Sequence, residues 1–388
     1  MNRWWTFAQA AVVACSCVGC GEDAPEQSEA SFESQAGPVL EQYANIVHTS
    51  YGVALDKALV LQSAVAAFVA DPTPATHEAA RQAWLDNRPY YLQTEAYRFY
   101  GGPIDDDDGP EGQINAWPMD EAYVDYVEGD PTAGIVNDAT TFPTIDRDSL
   151  VSANLSGGEA NVATGYHTIE FLLWGQDLSA TGAGARPITD YLADGSPNYD
   201  RRAAYLSAVA DLLVADLQTV RDEWAPDRDN YRKTFLALAP HDALALVLKG
   251  VGSLSGAELS GERMQVAYDT KSQEDEHSCF SDNTHVDHQN DELGIENVYL
   301  GRYADNDGPG IDDLVRVANP ALDEQVKQRI GDAKAAIAAI PRPFDQAILG
   351  DDAAPGRVAV KAAIDALKVQ TDGIAAIADA LNVELNLE

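Results

Sequence analysis

Apolar residues recur every three or four positions along most of this chain. The first such stripe begins near Pro38, runs through Val69 and ends at Asp71-Pro72. Further stripes of this spacing predict helices over residues 75–100, 159–174, 199–224, 230–249, 255–270 and 312–386. This spacing gives an α-helix one buried face, whereas the two-residue alternation of a half-buried strand is scarce here. The sequence therefore predicts an all-α fold built from helical bundles.

A chain of 388 residues is longer than one ordinary hydrophobic core requires. The stretch 180–196 is rich in glycine and proline and is the best candidate for a boundary. We therefore expect two helical-bundle halves packed together, an N-terminal half over residues 38–180 and a C-terminal half over residues 197–388. Residues 104–158, rich in Asp, Gly and Pro, are expected to form a long insertion dominated by loops. Long ordered loops in compact domains tend to carry function.

The chain is strongly acidic, with 63 Asp and Glu residues against 25 Lys and Arg residues and a formal net charge of −38. Such a charge repels polyphosphate, so no nucleic acid is expected as a partner. The same charge is compatible with cation capture and with simple solubility. The sequence contains no phosphate-binding glycine loop, Gly-x-Ser-x-Gly elbow or Cys-x-x-Cys pair. It therefore gives no support for nucleotide hydrolysis, serine hydrolysis or thiol redox chemistry.

The N-terminus has the features of a bacterial export signal over residues 1–19, with one arginine, an apolar run and then small residues. A Val-Gly-Cys sequence ending at Cys20 resembles the end of a lipoprotein signal, in which the cysteine becomes lipidated. Cys15 lies in a similar local sequence. We favour Cys20 because the polar residues after it suit a flexible tether, placed at residues 20–37. The mature protein is then expected to be a periplasmic or cell-surface lipoprotein of the outer membrane.

A Gly-x-His-x-x-Glu motif, with Gly165, His167 and Glu170, lies on a predicted apolar helix. Residues three apart share a helix face, so the imidazole and the carboxylate could converge on one ion, as such pairs do in metal-binding helical bundles. A buried histidine hydrogen-bonded to a neighbouring carboxylate explains the same pair without a metal. The motif also lacks the second histidine, four residues on, of the zinc-protease helix. The spacing alone leaves a metal site and a structural pair both open.

Two further clusters carry side chains that suit a site. Glu95 and Arg98 lie at the end of a predicted helix, before an abrupt Gly-Gly-Pro turn, and an intrahelical ion pair explains them equally well. Residues 274–288 combine three histidines with several acids, and a solvated polar loop is the alternative there. The acidic loops at 105–108 and 305–308 do not match the calcium-binding loop pattern and are expected to be solvated turns.

The motif, extended as GYHTIEFLLWGQD, resembles the signature of the imelysin family, and the resemblance extends over nearly the whole mature chain. The segments AARQAW, TEAYRFYGGPID, INAWPMDEAYVDY, ELSGERM and EHSCFSDNTH look like other blocks of that family in the same order. The iron-regulated lipoprotein branch is the most similar. The resemblance implies an exported all-α protein of two bundle-like halves, with the motif near their junction and a link to iron acquisition. Members of the family have also been classed as metallopeptidases.

Carried over residue by residue, the resemblance assigns His167, Glu170 and Glu95 to a metal ion, expected to be iron. It places in the surrounding pocket the residues Gly165, Arg98, His277, Asp282 and His285.

Three functions follow from these assignments. The first is a tethered lipoprotein that captures iron, or an iron-bearing ligand such as a chelate, and takes part in iron uptake; oxygen ligands with one or two imidazoles suit iron. The alternative is a metal-dependent peptidase of the imelysin type, which needs a vacant coordination position and a free general base. A third is a structural partner of an outer-membrane transporter.

We predict that Cys20→Ala releases the protein from the membrane into the periplasm, whereas Cys15→Ala leaves it membrane-bound. The reason is that only the cysteine that becomes the first mature residue receives the lipid anchor. Fractionation of cells expressing each variant, with the parent protein beside them, measures this. Unchanged membrane association of the Cys20 variant would favour Cys15 as the lipidated residue.

Overall fold

The computed structural model describes residues 29–385, and the surroundings of side chains from Phe32 onward. The predicted export signal, Cys20 and the first part of the predicted tether lie outside these residues. In chain order the helices are α1 (Glu29–Ala70), α2 (Pro74–Leu92), α3 (Glu111–Ile114), α4 (Glu121–Val124), α5 (Gly134–Asn137), α6 (Arg147–Ala153), α7 (Gly165–Trp174), α8 (Tyr199–Glu223), α9 (Tyr231–Leu236), α10 (Pro240–Ser253), α11 (Val266–Thr270), α12 (Thr284–Leu300), α13 (Ile311–Ala318), α14 (Pro320–Ala338), α15 (Phe344–Ala347) and α16 (Pro355–Ala380).

Other regular structure is limited in the described residues. A π-helical segment joins α10 to α11, and 3₁₀ turns occupy Gln93–Tyr97, Ile188–Tyr191 and Gln273–Asp275. Two short strands, β1 (Arg302–Tyr303) and β2 (Asn306–Asp307), pair antiparallel as a hairpin. The all-α prediction is therefore confirmed, and the acidic loop at 305–308 forms part of this hairpin.

Helix α1 begins at Glu29, well before the predicted start at Pro38. Phe32 and Ala36 are buried and extend the apolar stripe of α1 by one turn each. The ring of Phe32 stacks on that of His241 in α10, with 4.3 Å between their centroids. Residues 29–37, predicted as part of a flexible tether, are helical because this face has a packing partner.

Helix α7 begins at Gly165, although the apolar spacing predicts a helix from residue 159. Backbone carbonyls in residues 159–164 instead accept hydrogen bonds from the preceding insertion. The carbonyl of Ala160 accepts from the Asp120 N–H at 2.7 Å, and that of Asn161 accepts from the Leu155 N–H at 2.8 Å. These bonds to distant residues replace the helical ones that the local pattern favours.

Prolines set several other helix boundaries. Pro240, Pro320 and Pro355 lie in the first turns of α10, α14 and α16, where a missing N–H leaves no intrahelical bond unmade. The predicted helix 230–249 is therefore divided into α9 and α10, and the predicted helix 312–386 into α13 to α16. The predicted insertion at 104–158 contains only the short helices α3 to α6.

Two predicted helices continue in a different helical form. The helix predicted over 75–100 is α-helical as far as Leu92 and then tightens into a 3₁₀ turn that ends at Tyr97. The helix predicted over 255–270 is π-helical from Leu254 to Gln265 before α11 begins. Both segments are helical, as the pattern predicts, but their pitch differs from that of an α-helix.

The helices pack as two groups joined by α12. In the first group, α1 lies along α2 and α8, and α7 lies against α2 and α8. In the second, α14 and the π-helical segment pack on α16, while α12 contacts both α2 and α14. Helix α8 follows the predicted boundary at 180–196 but packs on helices that precede it. The division into two halves at this boundary stays a prediction.

The larger apolar core draws on both groups, from Phe32 in α1 to Val383 after α16. A smaller core lies between the π-helical segment, α14 and α16 and includes Met264, Ile337 and Ile364. Among the residues that the structure describes, three helical stretches could cross a membrane by length and composition alone: Phe32–Ala70, Tyr199–Glu223 and Pro240–Thr270. Each of them contributes apolar side chains to the larger core.

The interface between α12 and α16 contains a buried carboxylate, Glu292, without a cationic partner. Its Oε2 accepts a hydrogen bond from Gln370 Nε2 at 3.0 Å, and its Oε1 has no partner. Burial raises the pKa of Glu292 to about 8, and Glu296 adds to the effect. The folded protein therefore holds a proton here that the unfolded chain loses at the ordinary pKa of 4.5. The stability that this proton gives is lost as pH rises from about 4.5 through 8.

We predict that Glu292→Gln stabilises the protein at pH 8.5 relative to the parent, with a much smaller gain at pH 5. The amide cannot ionise, so the variant escapes the loss described above, and the difference in unfolding free energy between the two pH values should reach at least ~1.4 kcal/mol, the equivalent of one pKa unit. Denaturant unfolding at both pH values measures it. Glu324→Gln, on the exposed face of α14, is the matched control and should behave alike at both. A pH-independent effect of Glu292→Gln would show that Glu292 is ionised in the fold.

Candidate functional site

Helix α7 is buried along its whole length, and its first residue can only be glycine. Gly165 has φ +87°, a backbone conformation that residues with a Cβ rarely adopt. A Cβ at this position would lie 2.4 Å from the carbonyl oxygen of Ile114, at the end of α3. Gly165 thus allows the insertion to touch the start of α7, and the motif is held against the loops that precede it.

His167 and Glu170 form a direct hydrogen-bonded pair on one face of α7. His167 Nδ1 lies 3.0 Å from Glu170 Oε2. The other carboxylate oxygen, Oε1, accepts from the N–H and hydroxyl of Ser281 at 2.9 and 2.6 Å. Both oxygens of Glu170 are therefore occupied by protein groups, and the residue fixes the orientation of the His167 ring.

His277 forms a second pair of the same kind beside the first. Its Nδ1 lies 2.7 Å from Asp287 Oδ2, on α12. The rings of His167 and His277 meet edge to face, with 4.7 Å between their centroids. On its other side, the His277 ring packs against Trp117 at 5.6 Å. Two imidazoles, each held at Nδ1 by a carboxylate, thus lie in contact.

Asp287 is the group on which this arrangement converges. Besides His277, it accepts hydrogen bonds from the hydroxyl of Ser278 and from Arg88, whose Nη2 lies 3.2 Å from Oδ2. Arg88 lies on α2 and donates a further bond to Asn115 Oδ1 at 2.7 Å. The site therefore joins α2, α7, the loop before α12 and α12 itself.

The side chains of the site are almost fully buried, and burial dominates their electrostatics. At most 1% of His167, Glu170, His277 and Asp287 is exposed. Burial lowers the pKa of His167 well below 6.5, and His277 and Arg88 lower it further. Burial also lowers the pKa of His277, so both imidazoles are neutral near pH 7, the form that binds metals. Burial raises the pKa of Glu170 to about 8.

A ring nitrogen in this site lacks a partner. His167 Nε2 is buried and makes no hydrogen bond. A buried polar atom of this kind costs about 1–3 kcal/mol unless something satisfies it. Metal-bound histidines commonly have their other ring nitrogen held by a carboxylate, as His167 has. The donor chemistry therefore fits a metal ion at Nε2 of His167.

Glu95 and Arg98, assigned by resemblance to the metal and the pocket, take part in a network of buried charges. Glu95 Oε2 accepts from Arg263 at 2.6 Å and also from Arg98. Arg98 reaches Glu111 at 2.9 Å, and Arg263 reaches Asp291 at 2.8 Å. Burial alone would raise the pKa of Glu95, but Arg98 and Arg263 outweigh it and lower the pKa. Both arginines engage Oε2 of Glu95, whereas its buried Oε1 has no hydrogen-bond partner.

Asp282 and His285 also lie apart from the paired imidazoles. The Asp282 carboxylate is grouped with those of Glu276 and Asp345, with one oxygen of each within 4.8 Å of the others. His285 is half-buried at the start of α12, and its Nδ1 has no partner. Of the five residues that the resemblance places in the pocket, the structure brings Gly165 and His277 to the His167–Glu170 pair.

Sequence reasoning missed Arg88, Asp287 and Ser281 as members of the site. A usable signal exists for Arg88, because it lies on α2 between the buried residues Trp84 and Tyr91. A charge on such an apolar stripe needs a buried partner of opposite charge. Nothing local identifies that partner as Asp287, which is 199 residues away.

Comparison with known proteins places this chain among relatives with iron-related names. It is 26% identical to the iron-regulated protein A of Synechococcus elongatus over 398 aligned residues, which cover 98% of this chain and 94% of that protein. The fold matches a Parabacteroides distasonis protein assigned as an iron-regulated protein A precursor, with a TM-score of 0.71 at 20% identity. That match covers 93% of this chain and 97% of the other.

A second solved structure, an imelysin-like protein from Psychrobacter arcticum, has a TM-score of 0.64 at 13% identity. The match covers 94% of this chain and 99% of the Psychrobacter arcticum protein. At these identities the two structures establish the shared helical fold. The family model described as imelysin, Peptidase_M75, matches residues 47–374 and includes the whole motif on α7. Because this match extends over well more than half of the sequence, the chain belongs to the imelysin family.

Proposed function

We propose that this protein is an exported, membrane-tethered lipoprotein that binds iron, or an iron-bearing ligand, and takes part in iron uptake. The observation that carries the proposal is the unpartnered Nε2 of His167. It lies in a buried site whose two imidazoles are neutral and whose Nδ1 atoms are held by Glu170 and Asp287. The names of the relatives, which refer to iron regulation, support iron as the metal.

The proposal changes the roles that the resemblance assigns. His167 is the metal ligand, and His277 is the candidate for a second one, because the two rings lie in contact. Glu170 acts through His167, since its own oxygens are already engaged by His167 and Ser281. This hydrogen bond fixes the orientation of the His167 ring. Neutral imidazoles near carboxylates suit iron chemically.

The geometry favours binding over peptide hydrolysis. A metallopeptidase needs a carboxylate free to act as a general base and a groove that admits the substrate. Glu170 has no free oxygen, and its side chain is fully buried. A peptide has no access to His167, of which only 1% is exposed. An ion requires much less space than a peptide.

The tether and the partners belong to the same proposal. The lipid on Cys20 would hold the protein at a membrane surface, with a short polar segment leading into α1 at Glu29. An anchored iron binder is suited to pass its ion to an outer-membrane transporter. The charge of −38 favours the approach of cations over anions.

We predict that His167→Ala weakens iron binding at least tenfold, on the order of 1.4 kcal/mol, while the helical fold is kept. His277→Ala should have a similar effect if both imidazoles bind the ion. Glu170→Gln should weaken binding less, because an amide can still accept a bond from the ring. Calorimetric titration with ferrous and with ferric iron, beside thermal melts of each variant, measures these effects.

His77→Ala is the matched control. His77 is also buried, but its Nε2 is already bonded to the Leu173 carbonyl at 2.8 Å. Its removal should lower the melting temperature and leave iron binding unchanged. If His167→Ala likewise melts early yet binds iron as the parent does, the His167–Glu170 pair is structural and the proposal is wrong.

A further inference from the structure

Three carboxylates lie close together at the loop that carries His277 and Ser281. Glu276 and Asp282 belong to this loop, between the last 3₁₀ turn and α12, and Asp345 belongs to α15. One oxygen of each lies within 4.8 Å of the others. We call these three residues the acidic triad. It lies where the second helix group packs against the loop.

The triad contains a buried carboxylate that no cationic side chain in the described residues pairs with. Glu276 is fully buried, and neither of its oxygens has a hydrogen bond of normal geometry, although the Thr284 hydroxyl lies close to it. Asp345 is also buried; its Oδ2 accepts from Gln346 Nε2 at 2.6 Å, and its Oδ1 has no partner. Three oxygens that could accept bonds are therefore left unused at one point.

Other buried carboxylates of this protein are treated differently. Asp125 is paired with Arg186 and Arg202 at 2.8 and 2.6 Å, and Glu95 is paired with Arg263. Asp287 is paired with Arg88. Within the part of the chain that the structure describes, Glu276 is the buried acid with both oxygens unpartnered. Asp125, Glu95 and Asp287 each receive at least one arginine. No ion pair of this kind reaches the triad in the described residues.

Neighbouring acids deepen the negative field instead of relieving it. The carboxylates of Asp345 and Asp282 lie beside that of Glu276, with one oxygen of each within 4.8 Å of the others, so their charges repel one another. Burial together with Asp177 raises the pKa of Asp282 to about 6. A cation placed among these oxygens would satisfy the unused acceptors and reverse the repulsion.

We propose that the acidic triad is a binding site for a hard divalent cation, with Ca²⁺ as the best match to its donors. All three side chains offer oxygen, which suits calcium and excludes the soft metals that prefer sulfur or imidazole. The site is separate from the paired imidazoles and does not depend on iron binding. By joining Glu276 and Asp282 to α15, the cation fixes the loop that positions His277 and Ser281.

The test is a calcium titration of the chelator-treated protein, followed by calorimetry and by thermal melts. Saturable binding with a rise in melting temperature is expected for the parent. Glu276→Gln and Asp345→Asn, which keep the shape of each side chain, should each weaken calcium binding at least tenfold. Circular dichroism of both variants reports that the helical fold is kept.

Asp305→Asn is the matched control, since Asp305 is exposed in the turn between β1 and β2 and belongs to an acidic loop with no calcium-binding pattern. It should bind calcium as the parent does. A parent protein that binds neither Ca²⁺, Mg²⁺ nor Mn²⁺ would overturn the proposal. Parent-like calcium affinity in both triad variants would overturn it as well.

The same variants separate this site from the iron site. His167→Ala should keep full calcium binding. If iron binding is lost in Asp345→Asn and kept in His167→Ala, iron binds at the acidic triad and not at the paired imidazoles. If calcium binding fails while His167→Ala still loses iron, the triad proposal fails and the proposed function stands.

Discussion

The ion pair between Arg88 of α2 and Asp287 of α12 joins the two helix groups, and neither side chain is exposed. Burying two charges costs several kcal/mol per ion, and their attraction offsets this only when the remaining donors and acceptors are satisfied. Here they are, because Arg88 also donates to Asn115, and Asp287 also accepts from His277 and Ser278. Loss of either partner would leave a buried charge uncompensated, at a cost of about 3–5 kcal/mol. The position of His277 therefore depends on this pair.

Buried arginines organise most of the interior charge of this acidic protein. Arg186 and Arg202 pair with Asp125 of the insertion, and Arg263 pairs with Glu95 and Asp291 between the helix groups. Each of these networks ties together elements that are distant in sequence. Because a buried ion pair is weak evidence for net stability, their clearest structural effect is to fix the relative positions of helices.

The loop from Glu276 to Asn283 serves two sites at once. One set of its groups, from His277 and Ser281, completes the paired imidazoles on α7. The other, from Glu276 and Asp282, belongs to the acidic triad and faces α15. Neighbouring residues of one short segment thus contribute to different groups, with Glu276 beside His277 and Asp282 beside Ser281.

The sequence by itself determined the helical class, the extent of α8 and the helix that carries His167 and Glu170, because a 3.6-residue apolar period and a three-residue spacing are local properties. It also led to the imelysin family, which the match over residues 47–374 establishes. Tertiary structure decided the rest. Helix α7 starts at Gly165 because distant backbone groups use residues 159–164, and α1 extends to Glu29 because Phe32 finds His241. Glu95 is bonded to Arg263, and Arg88 is bonded to Asp287, which lies 199 residues further along the chain. Pairing between buried charges depends on which helices pack together, and no local pattern in the chain records that choice.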